Sequence, residues 1–300
     1  MSENLLLSTG VKQKIIDWLS EDIPSFDYGG HVVGNEVKTA DLFCKKKALK
    51  NNTFYCTSTL LSLKILTWIE WYYQEGEEID VDKSESKRIA VAKVTGPVNK
   101  LLQGERVALN LIARCSGIAT KARKLAELAK QHGYNGLVAG TRKTTPGFRI
   151  VEKYGMLVGG IDGHRMDLSS MIMLKDNHVW ATGSITKAVE SAKRVGGFSV
   201  KIEVECRSLD EAKEAIQAGA DIVMLDNFKG KELVSAAALL KEYCCSGDLS
   251  SGRSGVLIEA SGGITENNIA EYFSDSVDII SMGNITQDVN HIDFSLKVTH

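Results

Sequence analysis

The sequence predicts an α/β protein in which a barrel of parallel strands follows a mixed N-terminal domain. Two observations support this prediction. After residue 130, six short runs rich in Val, Ile, Leu and Met each end on polar, charged or glycine residues, as buried parallel strands do. Apolar residues also recur at helical spacing between later runs, and strands that alternate with helices indicate βα units.

The predicted strands also indicate where a site would lie. They span 137–139, 171–174, 200–204, 222–225, 256–260 and 279–280, and the helices predicted between them span 187–195, 209–218, 231–243 and 266–273. In barrels of this kind, catalytic groups occupy the C-terminal ends of the strands. The polar residues that directly follow each run are therefore the candidates for an active site.

The remaining segments are assigned from periodicity and from turn residues. They are a helix over 11–19, strands over 30–33 and 89–94, two helices within 101–132 that break near Ser116 and Gly117, and a surface loop over 246–255. The predicted domains are an N-terminal α+β domain over 1–116 and the barrel over 117–285, and 286–300 return to the first domain.

Composition narrows the class of protein. The chain has 300 residues, of which 43% are hydrophobic and 25% are charged. Its formal net charge of -2 argues against a general nucleic-acid or membrane binder, because such proteins usually carry a strong basic excess. No apolar run approaches the roughly 20 residues of a membrane span. The six cysteines form no C-x-x-C pair, so free thiols in a reducing compartment are expected. The expected localisation is the cytoplasm, and the sequence does not decide whether a nuclear pool exists.

Several site motifs are missing from the sequence. It contains no phosphate loop G-x-x-x-x-G-K-[ST], no G-x-G-x-x-G fingerprint, no H-E-x-x-H zinc pair and no G-x-S-x-G elbow. Nucleotide-triphosphate hydrolysis and serine-hydrolase chemistry therefore have no motif to support them.

Basic residues follow the first predicted strands. They are Arg142, Lys143, His164, Arg165 and Lys175. Several positive groups in one desolvated mouth would repel one another, so their clustering makes sense if an anion with several charges binds there. The planar fork of arginine suits carboxylates and phosphates.

Acids and glycines follow the later strands. Glu205 and Asp226 are suited to hold Mg2+ beside a phosphate. Backbone N–H donors for a single phosphate are offered by Ser261, Gly262, Gly263 and Gly283. The structural alternatives are a salt-bridge network for the charged residues and plain turns for the glycines. His178 is expected to cap or support a neighbouring element and not to act as a base.

The motifs around these residues resemble one family, quinolinate phosphoribosyltransferase, over nearly the whole chain and in one order. The matching segments are GERVALNLIARCSGIAT from Gly104, AGTRKTTPG from Ala139, GGIDGHRMDLSSMIMLKDNH from Gly159, KIEVEC from Lys201, GADIVMLDN from Gly219 and EASGGIT from Glu259. The segment SEDIPSFDYGG at Ser20 is similar to the eukaryotic branch. The resemblance implies an incomplete TIM-like α/β barrel with an N-terminal α+β open-faced sandwich domain.

The resemblance also implies a reaction. Quinolinate and phosphoribosyl pyrophosphate would give nicotinate mononucleotide, pyrophosphate and CO2, with Mg2+ as the cofactor, in de novo NAD biosynthesis. The active unit would be a homo-oligomer, a dimer or a hexamer, whose active site is shared between subunits.

Residue roles follow from the matched motifs. The quinolinate pocket would be lined by Arg142, His164, Arg165 and Lys175, and joined by Arg106 of a neighbouring subunit. The catalytic residues Lys143, Glu205 and Asp226 would face the phosphoribosyl group and its pyrophosphate, and the two acids would hold Mg2+ directly or through water. The 5-phosphate would be held by Ser261, Gly262, Gly263 and Gly283.

One segment departs from the family pattern. Between Cys44 and Leu61 the family carries glycines, whereas no glycine lies between Gly34 and Gly76 here, which puts subunit contact and substrate affinity in question. Two alternative functions stay open. One is a barrel lyase that forms a Schiff base on Lys175. The other is a non-catalytic paralogue that binds pyridine carboxylates.

Overall fold

The computed structural model describes residues 11–49, 68–245 and 255–299. It divides into two compact units, Met1–Lys124 with Thr144–Gly160 and Asp288–His300, and Leu125–Lys143 with Ile161–Gln287. The sequence predicts a domain boundary near residue 116, and the units divide instead at Lys124. Most of the atypical segment 44–61 and of the predicted loop 246–255 lies outside the described residues.

The first unit contains an antiparallel sheet of four strands. In chain order the strands are β1 Val37–Cys44, β3 Trp68–Trp71, β5 Ile89–Pro97 and β12 Phe294–Val298, and a short separate pair is formed by β2 Ala48–Leu49 and β4 Glu78–Ile79. The strand order is β12-β1-β5-β3. The C-terminal strand therefore pairs with the first strand of the chain, with Ala40 opposite Val298.

Alternating burial along β1 explains how this sheet packs. Ala40, Leu42 and Cys44 are buried and the residues between them are partly exposed, as the two-residue period of a strand requires. Leu42 and Cys44 share one apolar cluster with Leu109 and Ile112. These last two residues belong to α3, Val98–Gln131, so this long helix covers the sheet.

Two further helices pack near the start of the chain. Helix α1, Val11–Asp22, buries Val11, Ile15 and Leu19, at the four-residue spacing of one helix face, which confirms the predicted helix. Helix α2, Tyr28–Val33, replaces the strand predicted over 30–33, and that prediction was wrong. The Asp27 side chain accepts a hydrogen bond from Gly30 N at 2.9 Å, and this N-cap starts a helix.

Helix α3 is continuous, so the break predicted near Ser116 and Gly117 was wrong. A Cβ atom at Gly117 would lie 2.3 Å from the backbone oxygen of Asn290. This glycine therefore permits a close approach of another segment and does not end the helix. Helix α4, Arg149–Gly159, completes this unit and contributes Val151 and Tyr154 to the cluster that α1 covers.

The second unit contains six parallel strands in the order β6-β11-β10-β9-β8-β7. They are β6 Leu137–Gly140, β7 Ile172–Leu174, β8 Ile202–Cys206, β9 Ile222–Asp226, β10 Leu257–Ser261 and β11 Ile279–Met282. Each corresponds to one of the predicted runs, so the predicted α/β fold class is confirmed. An isolated parallel bridge pairs Asp162 with Ala139 on the free edge of β6.

Helices connect these strands. They are α5 Asp176–Thr182, α6 Ile185–Gly196, α7 Leu209–Ala218 and α8 Gly230–Cys245, and α9 Asn284–Gln287 follows β11. The helix predicted over 266–273 is only a short 3-10 turn, Ile269–Tyr272. Asn268 explains this difference, because its side chain bonds Thr265 N at 2.7 Å and Gly263 O at 3.1 Å, and such local bonds compete with a helix. Within the described part of the chain, no helix has the length and apolarity to cross a membrane.

Candidate active site

The C-terminal ends of all six parallel strands surround one cavity of about 480 Å3 in the second unit. Eleven of the predicted site residues line it, namely Arg142, Lys143, His164, Arg165, Lys175, Glu205, Asp226, Ser261, Gly262, Gly263 and Gly283. Arg106 is not among the lining residues, and it lies exposed on α3. The cavity thus brings together the basic, acidic and glycine groups that the sequence places at separate strand ends.

Lys175 and Glu205 join the ends of the neighbouring strands β7 and β8. The Lys175 ammonium donates a short hydrogen bond to Glu205 Oε2. Lys175 is also the N-cap of α5, where its backbone N–H donates to His178 Nδ1 at 3.1 Å. His178 therefore has the predicted capping role. The ion pair keeps one cation and one anion side by side at the cavity wall.

Asp226 ends β9 beside this pair. Burial and the charge of Glu205 raise the pKa of Asp226, and Lys175 and Lys143 act in the opposite direction. Asn227 Nδ2 donates to Asp226 Oδ2 at 2.6 Å. Two carboxylates that face one cavity form a donor set that a divalent cation would stabilise. Glu205 and Asp226 therefore fit the predicted Mg2+ site.

Lys143 and Gly283 are close neighbours. Thr286 Oγ1 donates to Lys143 O at 2.6 Å, which fixes the backbone that carries the lysine. A Cβ atom at Gly283 would lie 2.8 Å from Lys143 Cδ and 2.9 Å from Gln287 Oε1. Position 283 therefore needs glycine if the lysine side chain is to cross the end of β11.

The segment after β10 needs glycine for a different reason. Gly262 and Gly263 have φ angles of 101° and 65°, in the region that side chains rarely adopt. A Cβ at Gly262 would also lie 2.5 Å from Asn227 Oδ1. Ser261 Oγ accepts a hydrogen bond from Ser281 Oγ at 3.0 Å. Backbone in this conformation presents N–H groups without a side chain in the way, as a phosphate cradle requires.

Two buried acids at the cavity were not predicted as site residues, and one of them, Glu259, lines it. Glu203 and Glu259 have no exposed surface. Burial and the charge of Glu259 raise the pKa of Glu203 to about 9, so Glu203 holds a proton at neutral pH. Both acids interrupt an apolar strand run, and a charged residue in a buried strand is the sequence signal that could have indicated them.

His164 is held by contacts on both sides of its ring. Its Nε2 lies 3.0 Å from Glu259 Oε2, and its Nδ1 accepts the backbone N–H of Arg165 at 2.8 Å. The backbone of His164 has a φ angle of 51°, and its N–H donates to Asp162 Oδ1 at 2.5 Å. His164 is therefore fixed at this strand end by side chain and backbone together.

Arg165 carries much of the local positive charge. Burial and the charge of Arg142 lower the pKa of Arg165, whereas Glu203 and Glu259 raise it. Its Nη2 lies 2.9 Å from Met173 Sδ. A guanidinium stays protonated in proteins, so Arg165 is a partly desolvated cation beside the cation of Arg142. An anionic ligand would offset the repulsion between these two charges.

The family description "Quinolinate phosphoribosyl transferase, C-terminal domain" matches residues 118–297, more than half of the chain. The chain belongs to the quinolinate phosphoribosyltransferase family. The resemblance noted in the sequence is thereby confirmed. The family is one of enzymes, so the class predicted for the chain is confirmed as well.

Individual relatives of this quinolinate phosphoribosyltransferase family member agree over almost their full length. It is 46% identical to the carboxylating nicotinate-nucleotide pyrophosphorylase of Dictyostelium discoideum, over 98% of this chain and 97% of that protein. It is 44% identical to the Homo sapiens protein of the same name, over 98% and 94%. Among solved structures, the nicotinate-nucleotide pyrophosphorylase from Francisella tularensis matches with a TM-score of 0.83 and 32% identity over 96% of both chains.

Proposed function

We propose that this member of the quinolinate phosphoribosyltransferase family transfers the phosphoribosyl group of phosphoribosyl pyrophosphate to quinolinate, with loss of CO2, to give nicotinate mononucleotide and pyrophosphate in NAD biosynthesis. One observation carries the proposal: cations for a dicarboxylate, acids for a metal and a glycine-rich phosphate cradle line the same cavity. The two substrates require these three kinds of group together.

The quinolinate side of the cavity is basic. Arg142, Arg165 and Lys175 line it, and the two guanidinium groups can each bond both oxygens of a carboxylate. Cations that lie close together and are partly buried, as Arg165 and Arg142 are, gain most from an anion that carries two charges. His164 completes this side of the cavity and contributes shape.

The phosphoribosyl side carries the remaining groups. Lys143 would contact the pyrophosphate, and the backbone of 261–263 with Gly283 would hold the 5-phosphate. Glu205 and Asp226 would hold Mg2+, directly or through water. When bound, the metal offsets negative charge on the leaving pyrophosphate.

The chemistry needs positioning and charge stabilisation more than a nucleophilic side chain. The pyridine nitrogen attacks the ribose carbon, and the bond from that carbon to pyrophosphate breaks. The bond from the ring to the adjacent carboxylate then breaks, and its electron pair stays on the ring carbon beside the positively charged nitrogen. A proton replaces CO2 there. Arg142 and Arg165 would hold the substrate carboxylates while these bonds change.

The Lys175–Glu205 pair argues against the alternative of a Schiff-base lyase. An imine-forming lysine must lose its proton to become a nucleophile. Lys175 Nζ is instead a hydrogen-bond donor to the Glu205 carboxylate. Borohydride trapping with a carbonyl substrate should therefore leave Lys175 unmodified.

Oligomer and compartment are part of this proposal. Arg106 would reach the active site of a neighbouring subunit in a homo-oligomer, and the protein would act in the cytoplasm, with or without a nuclear pool. Mixing the inactive variants Arg106→Ala and Lys175→Ala should restore part of the activity, because hybrid oligomers would contain sites with neither substitution. Absence of any restored activity at equal protein ratios would contradict a shared site.

Turnover is the deciding measurement. Wild-type protein incubated with quinolinate, phosphoribosyl pyrophosphate and Mg2+ should release nicotinate mononucleotide, and Lys143→Ala and Glu205→Ala should each lose most of that activity. Exposed Lys187 and Glu190 on α6 provide matched controls, and their alanine variants should keep it. Binding of quinolinate by the wild type without product would instead support a non-catalytic paralogue.

A further inference from the structure

Glu259 is a fully buried acid that lines the cavity and bonds His164. Glu259 Oε2 lies 3.0 Å from His164 Nε2, and the side chain of His164 is only 8% exposed. Glu259 lies within β10 and His164 precedes β7, 95 positions away in sequence. A buried pair of this kind fixes the orientation of the ring.

The hydrogen bonds also fix the protonation state of the ring. The backbone N–H of Arg165 points at His164 Nδ1 at 2.8 Å, so Nδ1 must offer a lone pair and cannot carry a proton. Nε2 then carries the single ring proton and donates it to Glu259. His164 is therefore a neutral imidazole with one defined tautomer.

We propose that Glu259 is a positioning residue that acts through His164 on Arg165. The carboxylate holds the ring in one tautomer, and the ring holds the backbone N–H of Arg165. This places the guanidinium for anion binding. The proposal rests on the proposed function, in which Arg165 binds a carboxylate of quinolinate.

The backbone of His164 makes such a support necessary. A non-glycine residue with a φ angle of 51° is in a strained conformation that persists only where its surroundings fix it. Asp162 holds the backbone N–H at 2.5 Å, and Glu259 holds the other end of the residue. Loss of the Glu259 bond would leave the ring free to rotate away from Arg165 N.

A metal ion bound by His164, Glu203 and Glu259 is the competing interpretation. Their ligand atoms lie within 4.8 Å of one another. A metal would need the lone pair of Nε2, and the ring would then have to carry its proton on Nδ1. That proton would point at the Arg165 N–H, so the hydrogen bonding favours a ring that donates to Glu259.

The tautomer can be measured without any substrate. Nitrogen NMR of the protein labelled at histidine, with the signal assigned by loss in His164→Gln among the six histidines, should show a protonated Nε2 and an unprotonated Nδ1 near neutral pH. A doubly protonated ring, or a proton on Nδ1, would overturn the proposal. This outcome does not depend on whether the wild type turns over.

Substitution of Glu259 then tests the effect on Arg165. Glu259→Gln keeps an acceptor for Nε2 and should preserve the tautomer, whereas Glu259→Leu should let both tautomers exchange. In Glu259→Leu, the KM for quinolinate should rise about tenfold or more, and the KM for phosphoribosyl pyrophosphate should change much less. Glu214→Leu is the matched control. Glu214 on α7 is half-buried and accepts hydrogen bonds from Thr186 on α6.

The positioning role of Glu259 and the proposed function can fail independently of one another. No product from the wild type would end the proposed function, while the ring tautomer in wild type and in Glu259→Gln still decides whether Glu259 holds His164. A Glu259→Leu variant with both KM values unchanged would refute the positioning role. If that variant fails to fold, calorimetric titration of Glu259→Gln with quinolinate replaces it, and retained affinity together with a changed tautomer would also refute the role.

Discussion

Lys175 Nζ donates directly to Glu205 Oε2, which joins the ends of β7 and β8 at the cavity wall. The side chain of Lys175 is 45% exposed and that of Glu205 is 15% exposed. Solvent screens such a pair, so its contribution to folding is small. The pair instead holds a cation and a carboxylate side by side at the ends of the adjacent strands β7 and β8.

Lys175→Ala should therefore separate stability from binding. We expect the free energy of unfolding to change by less than about 1 kcal/mol, because the pair is partly exposed. Quinolinate affinity should fall by more than about tenfold, since a charge-assisted bond to a carboxylate is lost. Urea unfolding and calorimetric titration measure the two effects, and a loss of affinity that only follows loss of folded protein would contradict the assignment.

Gly283→Ala should disturb Lys143 without unfolding the protein. The new Cβ would meet Lys143 Cδ at 2.8 Å, and the far part of a flexible side chain can move aside. The displaced ammonium should raise the KM for phosphoribosyl pyrophosphate several-fold or lower kcat. Gly255→Ala is the control, because a Cβ there has no neighbour within 4 Å among the described residues. Equal kinetics in both variants would remove Lys143 from its proposed contact.

The predicted and observed structures differ where tertiary contacts override a local pattern. The six strands could be predicted because each apolar run is bounded by polar residues. The position of Gly117 in α3 could not, since the reason for that glycine is the backbone oxygen of Asn290, far away in sequence. A strand is predicted over 30–33, but the Asp27 cap starts a helix there.

The candidate site also contains some residues that the sequence could predict and others that it could not. Residues after strand ends could be predicted, because parallel strands bring their C-terminal ends to one side. The support that His164 receives from Glu259 could not be predicted, since these side chains are 95 positions apart and meet only in the folded protein. The sequence pattern indicates residues that follow strand ends better than buried residues, such as Glu259, that hold them in place.

The stability of the protein should fall as pH rises because of Glu203. Its pKa is raised from 4.5 to about 9 in the folded state, first by burial and then by Glu259. The folded state therefore keeps a proton that the unfolded state releases above pH 4.5. The stability from this group is fully present below that pH and is lost as pH rises through about 9.

Glu203→Gln tests this dependence directly. Glutamine keeps the size of the side chain and has no proton to lose, so the variant should lose less stability than the wild type between about pH 5 and pH 9. The urea midpoint measured at several pH values gives the slope. Glu190→Gln, at an exposed position, should leave the slope unchanged. Parallel slopes for wild type and Glu203→Gln would show that Glu203 is already ionised in the folded protein.

Glu152 should be a major source of stability in the first unit. It is fully buried, and its Oε1 accepts hydrogen bonds from Arg114 Nε at 3.1 Å and Nη2 at 2.9 Å. Its carboxylate also accepts from Thr145 N at 3.0 Å and Thr145 Oγ1 at 2.9 Å. Removal of the carboxylate would leave the poorly exposed Arg114 charge and the Thr145 donors without this partner.

Glu152→Ala should consequently cost about 3–5 kcal/mol of unfolding free energy, the usual effect of breaking a buried pair by removing one partner. Glu152→Gln should cost less, because its amide oxygen can still accept from Thr145. Asp82→Ala is the control, since the pair of Asp82 with Lys87 has both side chains about 70% exposed and should contribute little. Urea unfolding ranks the three variants, and a Glu152→Ala protein no less stable than Asp82→Ala would show that the four hydrogen bonds to Glu152 do not stabilise the fold.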